Sequence, residues 1–218
     1  MTTKQEEIDR LIEQFDPESS FRRLAGWSAK IVMVLCAGLS AWHFYTAGFG
    51  LHNEIAHRAI HLSVVLGLCF LVFPRQKRLP GPWEWTVSIG LVMFYLFMGW
   101  SLLSKLSEPV PDAMRYAFMA VLVAMAGLSL PFKHFDGSHT HIPWRDWVFA
   151  ALASGFSLYL LVFFENIYIE RPGQHTPLDL MIGVIAIAMV IEATRRTMGI
   201  FLPLLAIFSI FYGLLGPY

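Results

Sequence analysis

Residues 178–196 read LDLMIGVIAIAMVIEATRR, and this stretch decides the fold. After Asp179 it runs without a charge to Glu192, and it then closes on Arg195 and Arg196. An apolar run of this length ending in paired cations is the signature of a helix that crosses a bilayer and stops at a basic interface. Working outward, comparable runs fill almost all of the chain from Gly26 onwards: about Gly26 to Ala47, His57 to Phe73, Trp83 to Leu103, Ala113 to Leu130, Trp147 to Phe164, Leu178 to Ala193 and Met198 to Leu215. The predicted fold class is all-α: a polytopic membrane protein of about seven transmembrane helices. Several runs are short for a hydrocarbon core of about 30 Å, which predicts snorkelling Arg and Lys side chains or a locally thinned bilayer.

Composition agrees. The chain is 56% hydrophobic and only 15% charged, with mean hydropathy +0.55, where a soluble domain of 218 residues carries more charge. The net charge of zero gives no footprint for nucleic acid. Cys36 and Cys69 both fall inside apolar runs, so neither a disulfide framework nor a thiolate metal site is expected. Residues 1–20 are acidic and lack the basic start and apolar core of a signal peptide. Ile8, Leu11, Ile12 and Phe15 fall at helical spacing there, which predicts a short amphipathic or disordered cytoplasmic segment.

Cations set the orientation. With the amino terminus cytoplasmic, twelve of the sixteen Lys and Arg lie on that side; Arg58, Lys105, Arg115 and Arg171 lie on the other. This positive-inside asymmetry predicts a cytoplasmic amino terminus and a periplasmic carboxyl terminus. Trp27, Trp42, Trp83, Trp85, Trp100, Trp144 and Trp147 all lie near run ends, where indoles sit at headgroup depth. The connections are short and leave no room for a soluble catalytic domain. The longest, Pro131 to Arg145, is rich in histidine. The final Gly216-Pro217-Tyr218 reads as a stop at a connection, as if more protein should follow.

The polar residues inside the apolar runs are the candidates for function. Glu192 precedes Arg195 and Arg196 by three and four residues and can face both along one helix side. Such a set reads either as a positive-inside anchor with a neutralised acid, or as an interhelical clamp or part of a substrate route. Arg171 and Asp179 flank the start of the sixth run and can pair at the interface, for little energy. Arg58 stands between His57 and His61, two histidines at a spacing that can bind metal, though interfacial histidines held by water and backbone explain it as well. His43 and His61 lie at comparable depth on adjacent runs, as bis-histidine ligation of haem b in a redox subunit would require. His134, His139 and His141 read as a solvated linker or a loose chelating loop. Ala150, Ala151, Ala153, Ser154 and Gly155 favour close helix contact. No phosphate loop, catalytic triad or HExxH is present, so no enzyme activity is expected.

The run Arg171-Pro172-Gly173, Thr176, Asp179, Gly183, Glu192-Ala193-Thr194-Arg195-Arg196, Gly199, Pro203, Tyr212 and Gly216-Pro217-Tyr218 resembles the fused permease of tripartite ATP-independent periplasmic (TRAP) transporters, and more narrowly the TAXI subtype. His57-Arg58-Ala59-Ile60-His61-Leu62 leading to Phe70-Leu71-Val72-Phe73-Pro74, and Pro143-Trp144-Arg145-Asp146-Trp147 with Tyr159, agree with it. About half of the chain is covered. Two extra runs, about Trp83 to Leu130, depart from the family pattern.

The resemblance implies a division into residues 1–20, a small-subunit-like membrane domain over 21–177 with an inserted helix pair at about 83–130, and the opening helical hairpin of the large transport domain over 178–218. It implies a multi-pass protein of the bacterial inner membrane, a fixed scaffold for an ion-coupled elevator that moves small organic anions. Its implied partners are the large transport domain, a periplasmic TAXI-type substrate-binding protein and the bilayer. No cofactor is implied beyond a coupling ion, sodium or proton, bound outside these residues. Arg58, Asp179, Glu192, Arg195 and Arg196 are then interface and anchor residues, with Arg195 and Arg196 holding the junction of the two parts.

Overall fold

The computed structural model describes residues 21–50, 53–74, 82–106, 110–130 and 141–215. The acidic segment 1–20, the basic run 75–78, His134, His139 and the terminal Gly216-Pro217-Tyr218 lie outside them. The described residues are helical, with no strand among them: α1 Gly26–Phe49, α2 Glu54–Val72, α3 Pro82–Lys105, α4 Asp112–Ser129, α5 Trp144–Val162, a π-helical turn Asn166–Glu170, α6 Pro177–Met198 and α7 Phe201–Leu215. Six of these, α1 to α6, are long and apolar enough to cross a membrane. α7 has 15 residues and is apolar but shorter, so the count of seven is met only in part. The six run to 18–24 residues, and all but α4 are longer than the apolar runs alone imply.

The ends are set by local chemistry. Asn53 caps α2, its side chain accepting from the Ile55 and Ala56 amides. Thr176 and Asp179 form a reciprocal capping box at the start of α6, with Pro177 in the first helical position, where a missing N–H costs nothing. Gly199, at φ 80°, ends α6 in a backbone conformation that a side chain would strain.

α6 is the hub. It touches α2, α3, α4, α5 and α7, and 44% of its apolar window is buried, against 28% for each of α2 to α5 and none for α1. The most extensive helix contact joins α2 to α5. Ala59, Ser63 and Gly67 recur every four residues along α2, and Ala150, Ala153 and Ser157 lie along α5; all six are buried. Small residues let two backbones approach where no hydrophobic effect drives them together. Ser63 and Ser154 exchange bonds across this seam: each hydroxyl donates to the other's carbonyl, at 3.2 and 3.0 Å. Of the small residues read on α5, Ala151 and Gly155 face outward instead. α3 and α4 pack on each other and on α6.

A buried arginine–carboxylate cluster as the candidate functional site

α5 and α6 run antiparallel, so the first turn of α5 meets the last turn of α6. Asp146 sits in the former and Arg196 in the latter, each at the helix end whose partial charge favours it. Arg196 Nη1 donates to Asp146 Oδ1 at 2.7 Å, and Arg196 Nε to Glu192 Oε1 at 3.0 Å. Arg195 grips the same carboxylate with two bonds, Nε to Oε2 and Nη2 to Oε1, both at 2.8 Å. Arg22, from the segment before α1, donates through Nη2 to Asp146 Oδ2.

Arg22 also closes a helix end. Its Nη1 donates to the carbonyls of Phe70 and Leu71 at 3.3 and 3.0 Å. The last carbonyls of any helix lack an intrahelical partner, and Pro74 has no N–H to offer Phe70. The Arg22 amide completes the join by donating to the Val72 carbonyl at 3.0 Å.

The cluster is dry. The side chains of Arg196 and Glu192 are 0% and 1% exposed, and those of Arg22 and Asp146 4% and 6%. Aromatic faces supply the walls: the Arg196 guanidinium lies 4.8 Å from the Phe70 ring centre and 5.1 Å from that of Phe149, and these two rings stack 5.3 Å apart. A desolvated cation over an aromatic face gains on the order of 2 kcal/mol. Glu84 of α3 stands within electrostatic reach of Arg195. Buried ion pairs add little net stability, because desolvation offsets the attraction; removing one partner, however, leaves a charge stranded. The cluster joins the end of α6 to the start of α5, and through Arg22 to the end of α2.

The pairing of Glu192 with both arginines is as the spacing predicts. What sequence reasoning missed is that Asp146 and Arg22 complete the set and carry it from α6 to α5, α2 and the segment before α1. A signal was present. Asp146 stands at the start of an apolar helix with Ile142, Pro143, Phe149 and Ala150 at the three- and four-residue positions, so its counter-charge had to come from another element.

At the opposite end of the bundle, Asp179 is more than half of an interfacial pair. It accepts from Tyr159 Oη at 2.5 Å, from Arg171 Nη1 at 2.5 Å, and from the Thr176 amide and hydroxyl at 2.8 Å each. This ties α5, the connection and α6 together. The Asp179 carboxylate holds the Arg171 guanidinium further into its protonated range. Arg58 does not join either set: it pairs with Glu54 one turn away, at 75% and 66% exposure, where such a bond is worth about 0–1 kcal/mol.

His43 Nε2 and His61 Nδ1 lie 2.8 Å apart in a direct hydrogen bond, so a haem iron could reach both only if the rings parted. His57 Nδ1 accepts from Trp42 Nε1 at 3.1 Å. A metal-bound imidazole needs the reverse, its second nitrogen donating outward. Among the described residues no three His, Cys, Asp or Glu side chains come together as a metal site.

Fold and cluster together define a multi-span helical membrane protein whose helix ends are pinned by buried charge. No protein-family model, curated protein or solved structure matches the chain.

Proposed function

We propose that this chain is the scaffold part of a TRAP-type secondary transporter of the TAXI subtype, in the inner membrane of a bacterium, with its amino terminus cytoplasmic and carboxyl terminus periplasmic. The observation that carries the reading is Arg196. It lies in the Glu-Ala-Thr-Arg-Arg run of the resemblance, on the helix read as opening the large transport domain, and it is bonded to Asp146, in the part read as the small subunit. An elevator needs a static element that resists the bilayer while the carrier shifts. A hub helix tied by buried ion pairs to its neighbours suits that duty, and so do the indoles at the helix ends. On this reading the chain is not an enzyme. The sites for the small organic anion and for the coupling sodium or proton belong to the large domain, and a periplasmic binding protein delivers the substrate.

The test is assembly and uptake. The protein carrying an epitope in the 131–140 connection is purified from bacterial membranes, then reconstituted with the membrane domain that accompanies it. Uptake of labelled organic anions should require an imposed ion gradient and a periplasmic binding protein. Uptake that proceeds without the binding protein, or purification with no larger membrane domain attached, would refute the assignment.

A further inference from the structure

α1 is the least buried of the six long helices: its only buried residues are Ser28 and Thr46, and its main helix neighbour is α2. Two aromatic contacts pin it. Near the arginine cluster, Trp27 stacks on Trp147 of α5, with ring centres 5.3 Å apart and planes at 9°. At the far end three imidazoles meet. The His43 ring lies 4.9 Å from both His57 and His61, edge to face, and Trp42 and His43 of α1 bond His57 and His61 of α2 through ring nitrogens alone. These contacts border a cavity of about 310 Å³ between the two helices, lined by Trp42, Tyr45, Phe49, Asn53 and His57 among others.

We propose that this three-imidazole contact is a proton-sensitive latch that holds the far end of α1 on α2 while the rings are neutral and releases it on protonation. The chemistry follows from which nitrogen accepts. His57 Nδ1 can take the Trp42 N–H only while it carries no proton of its own. His43 and His61 must between them offer one donor and one acceptor. One added proton leaves that bond intact, and a second turns the acceptor into a donor and sets two cations in contact. An imidazole takes up a proton on a ring nitrogen, so acidification is the trigger.

The surroundings supply no rescue. On α2 the nearest charges are Glu54 and Arg58, which pair with each other. On α1, Tyr45 borders the cavity, and the only formal charge, Lys30, lies at the other end of the helix. The helices behind α2 present Tyr159 and Asp179 at this end, with Arg171 from their connection, and Asp179 bonds both of the others. The same connection carries Glu165, Tyr168, Glu170 and His175, and Glu170 accepts from Asn166. Among the described residues, no carboxylate bonds any of the three imidazoles. The latch is independent of the transporter reading, because it concerns only how α1 is held.

Electron–electron distance measurements on spin-labelled protein in nanodiscs test it. In a Cys36→Ser, Cys69→Ser background, Gly48→Cys on α1 and Gly183→Cys on α6 put labels near the latch, at positions where an added Cβ meets open space. Lys30→Cys with Gly127→Cys reports the other end. From pH 8 to pH 5 the 48–183 distribution should lengthen and broaden and return on neutralisation, while the 30–127 distribution stays put. The variant with His43, His57 and His61 all changed to Gln should show no pH dependence, whichever position α1 then takes. A wild-type 48–183 distance unchanged at pH 5, a shift shared equally by both pairs, or a shift that survives in the triple variant would each overturn the proposal.

Discussion

Asp146→Asn should lower the stability of the detergent-solubilised protein by about 3–5 kcal/mol, the usual effect of removing one member of a buried ion pair. The substitution keeps the shape of the side chain and removes its charge. Asp146 now accepts Arg196 through one oxygen and Arg22 through the other. An amide offers one acceptor and turns an NH2 towards the second guanidinium, so two buried cations lose their shared counter-ion. Arg22 would then lose its anchor beside the Phe70 and Leu71 carbonyls, loosening the end of α2 as well. The measurement is a thermal melt beside Glu54→Gln, which removes the exposed pair with Arg58 and should change little. If Asp146→Asn melts with the Glu54→Gln control, the cluster does not hold the bundle.

The second large effect is expected at Gly67. A Cβ built there would stand 2.7 Å from Ser154 Oγ and 3.8 Å from the Ala150 carbonyl, so Gly67→Ile must force α2 and α5 apart. Overpacking of this kind costs about 1–3 kcal/mol. Separation also loses the reciprocal Ser63–Ser154 bonds, at roughly 0.6 kcal/mol each within a membrane. A total of about 2–4 kcal/mol follows. Gly155→Ala is the contrast: nothing lies within 4 Å of its added carbon, and alanine is the better helix former by about 0.5–1 kcal/mol. The melt should therefore fall sharply for the first and hold or rise for the second. Equal melts would mean that the seam is not close-packed.

These effects also mark what could be read from the sequence. The apolar runs gave the helices because lipid leaves the backbone few alternatives, and their charged ends lay where cations and indoles placed them. The Glu192–Arg195–Arg196 contact was legible because it is local, set by the helical repeat. Asp146 and Arg22 were not paired in advance because their partners lie 50 and 124 residues away along the chain, and no periodicity reports that distance. The Arg58 pairing was not foreseen for a related reason: its place beside two histidines says nothing about which way it points, and it pairs with Glu54 one turn away. His43 and His61 were placed at comparable depth on adjacent runs, and only coordinates show how close they come. The seam of Ala59, Ser63 and Gly67 could have been found from its four-residue spacing.

The most direct test of the account is a double-mutant cycle across the α5–α6 contact, with Asp146→Asn, Arg196→Gln and the pair compared by melting in one detergent. If the two side chains belong to a single buried network, the double variant should lose less than the sum of the single losses, by at least about 1 kcal/mol, since removing both charges strands neither against the other. Losses that simply add would contradict the account, because Asp146 and Arg196 would then not act as one buried network.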